Sequence, residues 1–339
     1  MPWLTDVVFK QAQDEPLTKL PRFDDGPRRI RFRHLVHVYT DKAVPENTAV
    51  QSITFDTIDK ARQFAAPDYR VTCVAITYPE DSALVPPGVV VAPHLQRVVT
   101  DIARFKVPRA LPLLFDVLRN GMAAPVAIDQ DPSEAEFIVL TNSDIHLQPP
   151  FYRVVAEFIR RGYDAMTITR RTIDVEPTER AFTPLFMAEA GHDHPGFDCF
   201  VFPARMMQDF GINDCCCGAG AVMRSLLFNL VAHARRFLML TQARLTFHLG
   251  NDVHWQNQIF ADYIEFNLAE ARALVESLAT DPEKAKRLIE FISAHEPKMY
   301  QEKILASLSP SRQPKASPDI ETRAAGSENT SPVKASEFP

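Results

Sequence analysis

The residues of this 339-residue chain that could hold a cation stand at the end of a predicted strand. The apolar run Phe137–Leu140 (FIVL) predicts a buried central strand, and it leads directly into Thr141-Asn142-Ser143-Asp144. In open parallel sheets, ligands bind just beyond the carboxyl ends of the strands. A carboxylate placed there can hold Mg²⁺ or Mn²⁺ while a diphosphate supplies other oxygens, and Asp144 is our candidate. The alternative is that Asp144 caps a turn, with Asn142 and Ser143 as ordinary turn formers.

The stretch IVLTNSDIHLQPPFY resembles the signature of the GT-A glycosyltransferases, in which a strand is followed by (D/N)-x-D, a loop and a helix. The segments at 194–202 (HPGFDCFVF) and 247–252 (FHLGND) are further landmarks that resemble a group of bacterial proteins of that superfamily. These enzymes transfer a sugar from a nucleoside diphosphate. The resemblance implies that Asp144 ligates the metal. At the first acid position, which contacts ribose or metal, this chain has Asn142, a poorer metal ligand that could still bond a ribose hydroxyl.

The resemblance also implies a second metal ligand from a late strand. His248 lies at the end of the predicted strand Leu245–Leu249 and precedes a tight turn. We expect His248 to be that ligand of Mn²⁺ or Mg²⁺, with Asp252 as the alternative. His248 could instead be a core histidine that is bonded to the backbone. In the family, the end of the first strand begins to enclose the base and ribose of the nucleotide, and here that position holds Thr40 and Asp41.

A short segment, 191–198 (GHDHPGFD), is unusually rich in titratable groups. An inverting sugar transferase needs a carboxylate or histidine that takes the proton of the acceptor hydroxyl. Asp198 directly precedes a predicted strand and is the candidate base, with His194 as the second choice. The alternative is that both side chains only hold this loop by hydrogen bonds. In an enzyme that retains configuration, Asp198 would only orient the sugar.

Cations must also meet the negative charge of a leaving nucleoside diphosphate. Arg170 and Arg171 end a predicted strand at the same edge as Asp144, and arginine suits bidentate contact with phosphate. Arg104, Lys106 and Arg109 precede a predicted helix and are either further phosphate contacts or solvated residues. Trp255 follows the turn after His248 and could stack on a sugar ring, although a tryptophan more often belongs to the core.

The alternation of strand and helix patterns predicts βαβ units. The expected fold class is α/β, with a GT-A-like, mixed but mostly parallel sheet flanked by helices and followed by C-terminal helices. The predicted strands are Arg31–Thr40, Val71–Thr77, Phe137–Leu140, Ala165–Thr169, Cys199–Phe202 and Leu245–Leu249; the predicted helices are 51–64, one starting near Pro112 and ending before Gly121, one between Pro150 and Gly162, Met223–Phe237, 258–278 and 282–293 with Asp281 as its cap.

Three segments are expected along the chain. Residues 1–30 are polar and form an N-terminal leader. Residues 31–308 form a single GT-A-like catalytic domain, with a nucleotide-binding half at 31–175 and an acceptor half with the C-terminal helices at 176–308. Residues 309–339 contain five prolines and six serines and are expected to be a disordered tail, because they cannot bury enough apolar surface.

The composition excludes several classes of function. The chain has only 11 glycines, and neither a G-x-G-x-x-G after a strand nor a P-loop motif occurs. The net charge of −6 argues against nucleic acid as a partner. The absence of a long apolar run and of a signal-like N-terminus, together with five cysteines at Cys73, Cys199 and 215–217, leads us to expect reduced thiols and a cytoplasmic location. Peripheral contact with the inner membrane face stays open.

These observations predict a metal-dependent, hexosyltransferase-like glycosyltransferase. Its donor would be a UDP- or GDP-sugar, and its acceptor a saccharide, a lipid or another molecule with a hydroxyl group. One alternative is a metal-dependent hydrolase that uses His192, His194 and His248 with Asp144 or Asp198 and a bound water. Another is a non-catalytic α/β protein that holds a ligand at the edge of its sheet.

Overall fold

A computed structural model describes residues 10–11, 20–23, 25–39, 46–126, 134–174, 187–194, 196–250, 258–306 and 308. The predicted site residues Thr40, Asp41, Asp252 and Trp255 lie outside these ranges, as do most of the predicted leader and the whole predicted tail. All of the described elements belong to one unit of the chain, Met1–Leu308.

The described residues form a mixed α/β fold, which confirms the predicted class. The larger sheet has eight strands in the order β1-β11-β7-β10-β5-β2-β3-β4, and only β10 runs antiparallel to its neighbours. A smaller sheet has the order β6-β12-β8-β9. The strands are β1 Lys10–Gln11, β2 Arg29–His37, β3 Arg70–Ile76, β4 Val90–Val91, β5 Glu134–Thr141, β6 His146–Leu147, β7 Ala165–Ile168, β8 Arg171–Ile173, β9 His192–Asp193, β10 Cys199–Pro203, β11 Phe237–Leu240 and β12 Thr246–Leu249.

Helices cover both faces of the larger sheet because its central strands are apolar on both sides. Along β5, Ile138 and Leu140 join one core cluster while Phe137 and Val139 join the other, as the period of two in a strand requires. Helices α1 and α3 pack on the second face, and the other α-helices contribute to the first. The helices are α1 Glu46–Ala65, α2 Leu114–Met122, α3 Phe151–Arg160, α4 Met223–His233, α5 Ala261–Leu278, α6 Pro282–His295 and α7 Lys298–Leu305.

The smaller sheet continues the edge at which β5 and β7 end. Strand β12 pairs antiparallel with β6, which follows Asp144, and parallel with β8, which follows β7. His248 of β12 is therefore brought beside the turn that carries Asp144, although the two residues are distant in the chain.

Several predicted boundaries are wrong. The helix predicted over 51–64 begins at Glu46, and the one predicted over Met223–Phe237 ends at His233. The following run Phe237–Leu240 is strand β11, because Asp164 accepts hydrogen bonds from the backbone nitrogens of Arg235 and Arg236 and stops the helix there. His192 and Asp193, predicted as loop, pair with β8 as strand β9.

Gly121, predicted to follow the helix, lies inside α2. A Cβ atom there would come 2.8 Å from the side chain of Leu35, so glycine lets this helix lie close to the sheet. The predicted cap of α6 is confirmed: the Asp281 side chain accepts hydrogen bonds from the backbone nitrogens of Glu283 and Lys284. Helix α7 was not predicted.

All five cysteines are unpaired, and four of them are buried. The described helices include none with the length and apolar content that a bilayer crossing requires.

Candidate functional site

A cavity of about 620 Å³ opens at the edge where β2, β3, β5 and β7 end. This is the position that the fold favours for a ligand, because the loops leaving parallel strands diverge there. Its polar lining comes from strand ends and from the segments that follow them. These residues include His37, Tyr39, Tyr78, Asn142, Asp144, Arg170, His194, Asp198 and His248.

Asp144 and His248 face each other in this cavity, as the sequence led us to expect. Oδ2 of Asp144 lies 3.2 Å from Nε2 of His248. Nδ1 of His248 lies 2.9 Å from the carbonyl oxygen of Gly250, which can only accept, so Nδ1 carries a proton. In the neutral imidazole, Nε2 therefore presents its lone pair to the carboxylate.

This pair fits a divalent cation. A proton on Nε2 or a cation between the two atoms would relieve the repulsion between their lone pairs. The other carboxylate oxygen of Asp144, Oδ1, is buried and bonded by no described residue. Burial acts to raise the pKa of Asp144, but a His248 that carries a proton on Nε2, together with Arg170, outweighs it and holds that pKa well below its usual range. The carboxylate is thus charged over the whole physiological pH range.

The described residues contain no group of three or more histidine, cysteine or acidic side chains that could hold a metal. A cation here would take Asp144 and His248 as its protein ligands and complete its shell with other oxygens. His146, the first residue of β6 after this turn, is buried and bonds Thr54 through Nδ1 at 3.1 Å. It is not among the residues that line the cavity.

Asp198 lies beside Arg170 and His194 on the same wall. Its Oδ1 is 3.5 Å from Nη1 of Arg170, and its Oδ2 is 3.9 Å from Nε2 of His194. Oδ2 of Asp198 and Nε of Arg170 are buried without a hydrogen-bonding partner among the described residues. This carboxylate therefore has a lone pair left for a ligand hydroxyl.

Burial changes the pKa values of this acid and this histidine in opposite directions. It raises the pKa of Asp198, although Arg170 opposes it. Burial, followed by the charges of Arg170 and His248, lowers the pKa of His194 to about 4. Burial therefore makes the Asp198 carboxylate a stronger base, and His194, with its pKa lowered to about 4, is a neutral imidazole at neutral pH. Both states suit a proton acceptor.

Three predicted residues do not line the cavity. Arg171 follows Arg170 in an extended strand, so its side chain points to the other side, where it bonds Asp193 and the carbonyl oxygens of Ala190 and Gly191. Arg104 is exposed and lies outside the cavity. His192 is also exposed, with Nδ1 3.6 Å from a carboxylate oxygen of Asp174, so the three-histidine centre of the hydrolase alternative does not form among the described residues.

Three aromatic residues of the cavity were not predicted. The rings of His37 and Tyr39 are stacked, with centroids 5.5 Å apart and an interplanar angle of 10°. The ring of Tyr78 meets His37 edge-on at 6.5 Å. Gln51 fixes the backbone of Tyr39 by bonding both its nitrogen and its oxygen. The signal in the sequence was the run HVY at the end of the first predicted strand.

Two further arginines line the cavity: Arg109, which belongs to the basic cluster noted before α2, and Arg224, which was not predicted. Arg109 comes from the segment before α2, and Arg224 comes shortly after the loop 217–221, which also lines the cavity. Arg224 lies in the first turn of α4, and its position depends on Glu296, which no local pattern connects to it.

No protein-family model matches the chain, and no curated protein matches its sequence. Among solved structures, the chain is similar to residues 1–349 of S. aureus TarS in complex with UDP-GlcNAc, with 11% identity over 82% of this chain and 79% of the other and a TM-score of 0.36. It is similar to 4-diphosphocytidyl-2C-methyl-D-erythritol synthase from Anaerococcus prevotii, with 10% identity over 70% and 98% and a TM-score of 0.32. It is also similar to the galactosyltransferase LgtC in complex with donor and acceptor sugar analogs, with 8% identity over 72% and 96% and a TM-score of 0.31.

Proposed function

We propose that this protein is a metal-dependent glycosyltransferase that moves a sugar from a nucleoside-diphosphate sugar to a hydroxyl acceptor. The observation that carries the proposal is the contact of 3.2 Å between Asp144 Oδ2 and His248 Nε2, at the carboxyl edge of the sheet and open to a cavity of about 620 Å³. A cavity of this size can hold a nucleotide sugar.

The cavity offers a separate surface for each part of such a donor. The stacked rings of His37 and Tyr39 give the base a flat, largely apolar face. Asn142 lines the cavity and can bond a ribose hydroxyl. Asp144 and His248 would hold Mn²⁺ or Mg²⁺, which neutralises the charge that develops on the leaving diphosphate. Arg170 adds a fixed positive charge on the same wall.

Asp198 is the proposed general base. Its buried Oδ2 has no hydrogen-bonding partner among the described residues, so it can accept the proton of an acceptor hydroxyl. Arg170 orients the carboxylate through its other oxygen, at 3.5 Å. Because burial makes the carboxylate more basic, proton transfer from a hydroxyl costs less than it would to an exposed aspartate. His194, 3.9 Å away, is the second candidate.

The experiment that tests the proposal is a panel of UDP- and GDP-sugars, incubated with the protein with and without Mn²⁺ and assayed for release of the nucleoside diphosphate. We expect slow hydrolysis of one donor, dependent on Mn²⁺ and abolished in Asp144→Asn. Asp68→Asn is the matched control, because Asp68 is an exposed surface residue that pairs with Arg153. If no donor turns over while simple phosphate esters are cleaved, the protein is a hydrolase and the proposal is wrong.

A further inference from the structure

The guanidinium group of Arg224 is held rigidly at the wall of the cavity by the C-terminal helices. Its Nε donates to Oε2 of Glu296 at 2.8 Å, and its carbon Cζ lies 4.2 Å from the ring centroid of Tyr300. The Glu296 side chain is fully buried, and that of Arg224 is 17% exposed. The two terminal nitrogens of Arg224 make no hydrogen bond within the described part of the chain, and the residue lines the cavity.

A second arginine of the same cavity is held in a similar way. The guanidinium of Arg109 lies over the ring of Phe260, 4.7 Å from its centroid, and makes a long contact of 3.4 Å to the carbonyl oxygen of Gly218. Its backbone nitrogen donates to the hydroxyl of Tyr263 at 2.7 Å. None of the described carboxylates forms a salt bridge with Arg109.

The loop between these arginines leaves room for a ligand. Residues 218–221 are Gly-Ala-Gly-Ala, so this loop itself places no large side chain over the two guanidinium groups. Asn267 of α5 fixes the loop by bonding the nitrogen and oxygen of Cys216 and the oxygen of Gly220. The wall is thus preorganised, which reduces the entropy that binding would cost.

Among the described residues, only one of these two arginines has an ion-pair partner. Arg109 and Arg224 carry two positive charges, and Glu296 supplies one negative charge to Arg224 alone. We propose that an anionic group of the acceptor, a phosphate or a carboxylate, binds between Arg109 and Arg224 over the loop 218–221. Arginine suits both anions, because its planar fork of N–H donors matches their oxygens.

This inference rests on the proposed function, since it assigns the diphosphate of the donor to Asp144, His248 and Arg170. Those residues lie on the β5 and β7 side of the cavity. Arg109 and Arg224 belong to the wall that α4, α5 and α7 support. The anionic group of an acceptor held there would lie at a distance from its reacting hydroxyl. The anion would therefore not compete with the base Asp198 for that hydroxyl.

The test is a calorimetric titration of the protein, first saturated with Mn²⁺ and with whichever of UDP and GDP it binds, with glycerol 3-phosphate as the probe and glycerol as its neutral counterpart. We expect glycerol 3-phosphate to bind and glycerol not to bind. Arg109→Met and Arg224→Met should each weaken binding about tenfold, since each removes a charge-assisted hydrogen bond. Arg272→Met, on the exposed face of α5, is the matched control and should bind like the parent.

Three outcomes would overturn the inference. The first is that the nucleotide-loaded parent does not bind glycerol 3-phosphate. The second is that Arg109→Met and Arg224→Met bind it as tightly as the parent. The third is that both variants lose affinity for the nucleoside diphosphate, which would assign these arginines to the donor. Should Arg224→Met fail to fold because Glu296 is left unpaired, Arg109→Met still decides, since Arg109 has no carboxylate partner among the described residues.

Failure of the proposed function would look different. In that case neither UDP nor GDP would bind with Mn²⁺, and the same titration of the unloaded protein would still test the two arginines. Sedimentation with phosphatidylglycerol vesicles, compared with phosphatidylcholine vesicles, identifies the source of the anion. If the protein binds the anionic vesicles and Arg109→Met abolishes that binding, the anion belongs to a lipid headgroup. If the protein binds glycerol 3-phosphate but not the vesicles, the anion belongs to a soluble phosphate.

Discussion

Oδ2 of Asp144 lies 3.2 Å from Nε2 of His248, although the two residues are distant in the chain. Asp144 follows the central strand β5, and His248 belongs to β12. The carbonyl of Gly250 fixes the other nitrogen of the imidazole, so the position of Nε2 does not depend on a ligand. Because these two donor atoms are prearranged, we place the candidate metal site between Asp144 and His248.

The role of Asp198 predicts a specific pH dependence. Asp198→Asn should lower donor hydrolysis by about 10²- to 10⁴-fold, because it removes the base, and should leave nucleotide affinity nearly unchanged. In the parent, the carboxylate is lost as the pH falls through its pKa, which burial raises above 3.8. The acidic limb of the rate profile should therefore lie above that pH.

The measurement is the rate of nucleoside diphosphate release across a range of pH, for the parent and for Asp198→Asn. Retention of both the rate and the acidic limb in the variant would show that another group accepts the proton. His194→Gln is the parallel variant, because His194 is the second candidate base.

Two histidines of β2, the fully buried His34 and the half-buried His37, predict a loss of stability in acid. Burial lowers the pKa of His34 to about 3 and that of His37 to about 4, the latter with Asp81 opposing the effect. Below pH 6.5 the unfolded chain takes up protons at these residues while the folded protein does not. The free energy of unfolding should thus be highest above pH 6.5 and fall toward pH 4, by about 1.4 kcal/mol per pH unit for each histidine.

Urea unfolding at several pH values measures this slope. His34 is fully enclosed and bonds Tyr152 at 2.7 Å and Thr141 at 2.9 Å. In His34→Gln, the slope of the free energy of unfolding against pH should therefore decrease by the contribution of about one proton. His192→Gln, on the exposed strand β9, is the control and should leave the slope as it is. An unchanged slope in His34→Gln would refute the assignment.

A buried arginine connects the larger sheet to α2 and predicts a large stability effect. Nε and Nη2 of Arg33 donate to Glu136 at 3.0 and 2.9 Å, and its Nη1 donates to the carbonyl oxygen of Met122 at 2.7 Å. Arg33→Met should cost about 3 kcal/mol, because the partly buried Glu136 loses its main partner. Lys303→Met, which removes an exposed pair with Glu265, should cost less than about 1 kcal/mol. Equal effects in chemical denaturation would contradict this account.

The sequence was sufficient to predict the parts of the site that follow directly from strand ends. The run FIVL identified β5 and thereby Asp144, and the strand that ends in His248 was also recognised. Local pattern could not choose between Arg170 and Arg171, because the side on which each lies depends on the register between β8 and β9. Strand β11 was missed, since its apolar residues continue the apolar stripe of α4 without a proline or glycine between them.

Contacts between distant segments account for the rest. Arg224 becomes part of the cavity only because Glu296 and Tyr300 hold it there. The stacked rings of His37 and Tyr39 need Gln51 of α1 to fix the strand end. No periodicity or motif relates these residues to one another, so a single sequence contains no signal for such pairs.

The metal-dependent binding of a nucleoside diphosphate tests the central claim most directly. Isothermal titration of the parent with UDP and GDP, with and without Mn²⁺, should show that Mn²⁺ tightens binding of one of them by at least about tenfold, a coupling near 1.4 kcal/mol. Asp144→Asn should abolish that Mn²⁺ dependence, while the control Asp68→Asn should keep it. If Asp144→Asn binds the nucleotide with the same affinity and the same response to Mn²⁺ as the parent, Asp144 holds no metal and the account is wrong.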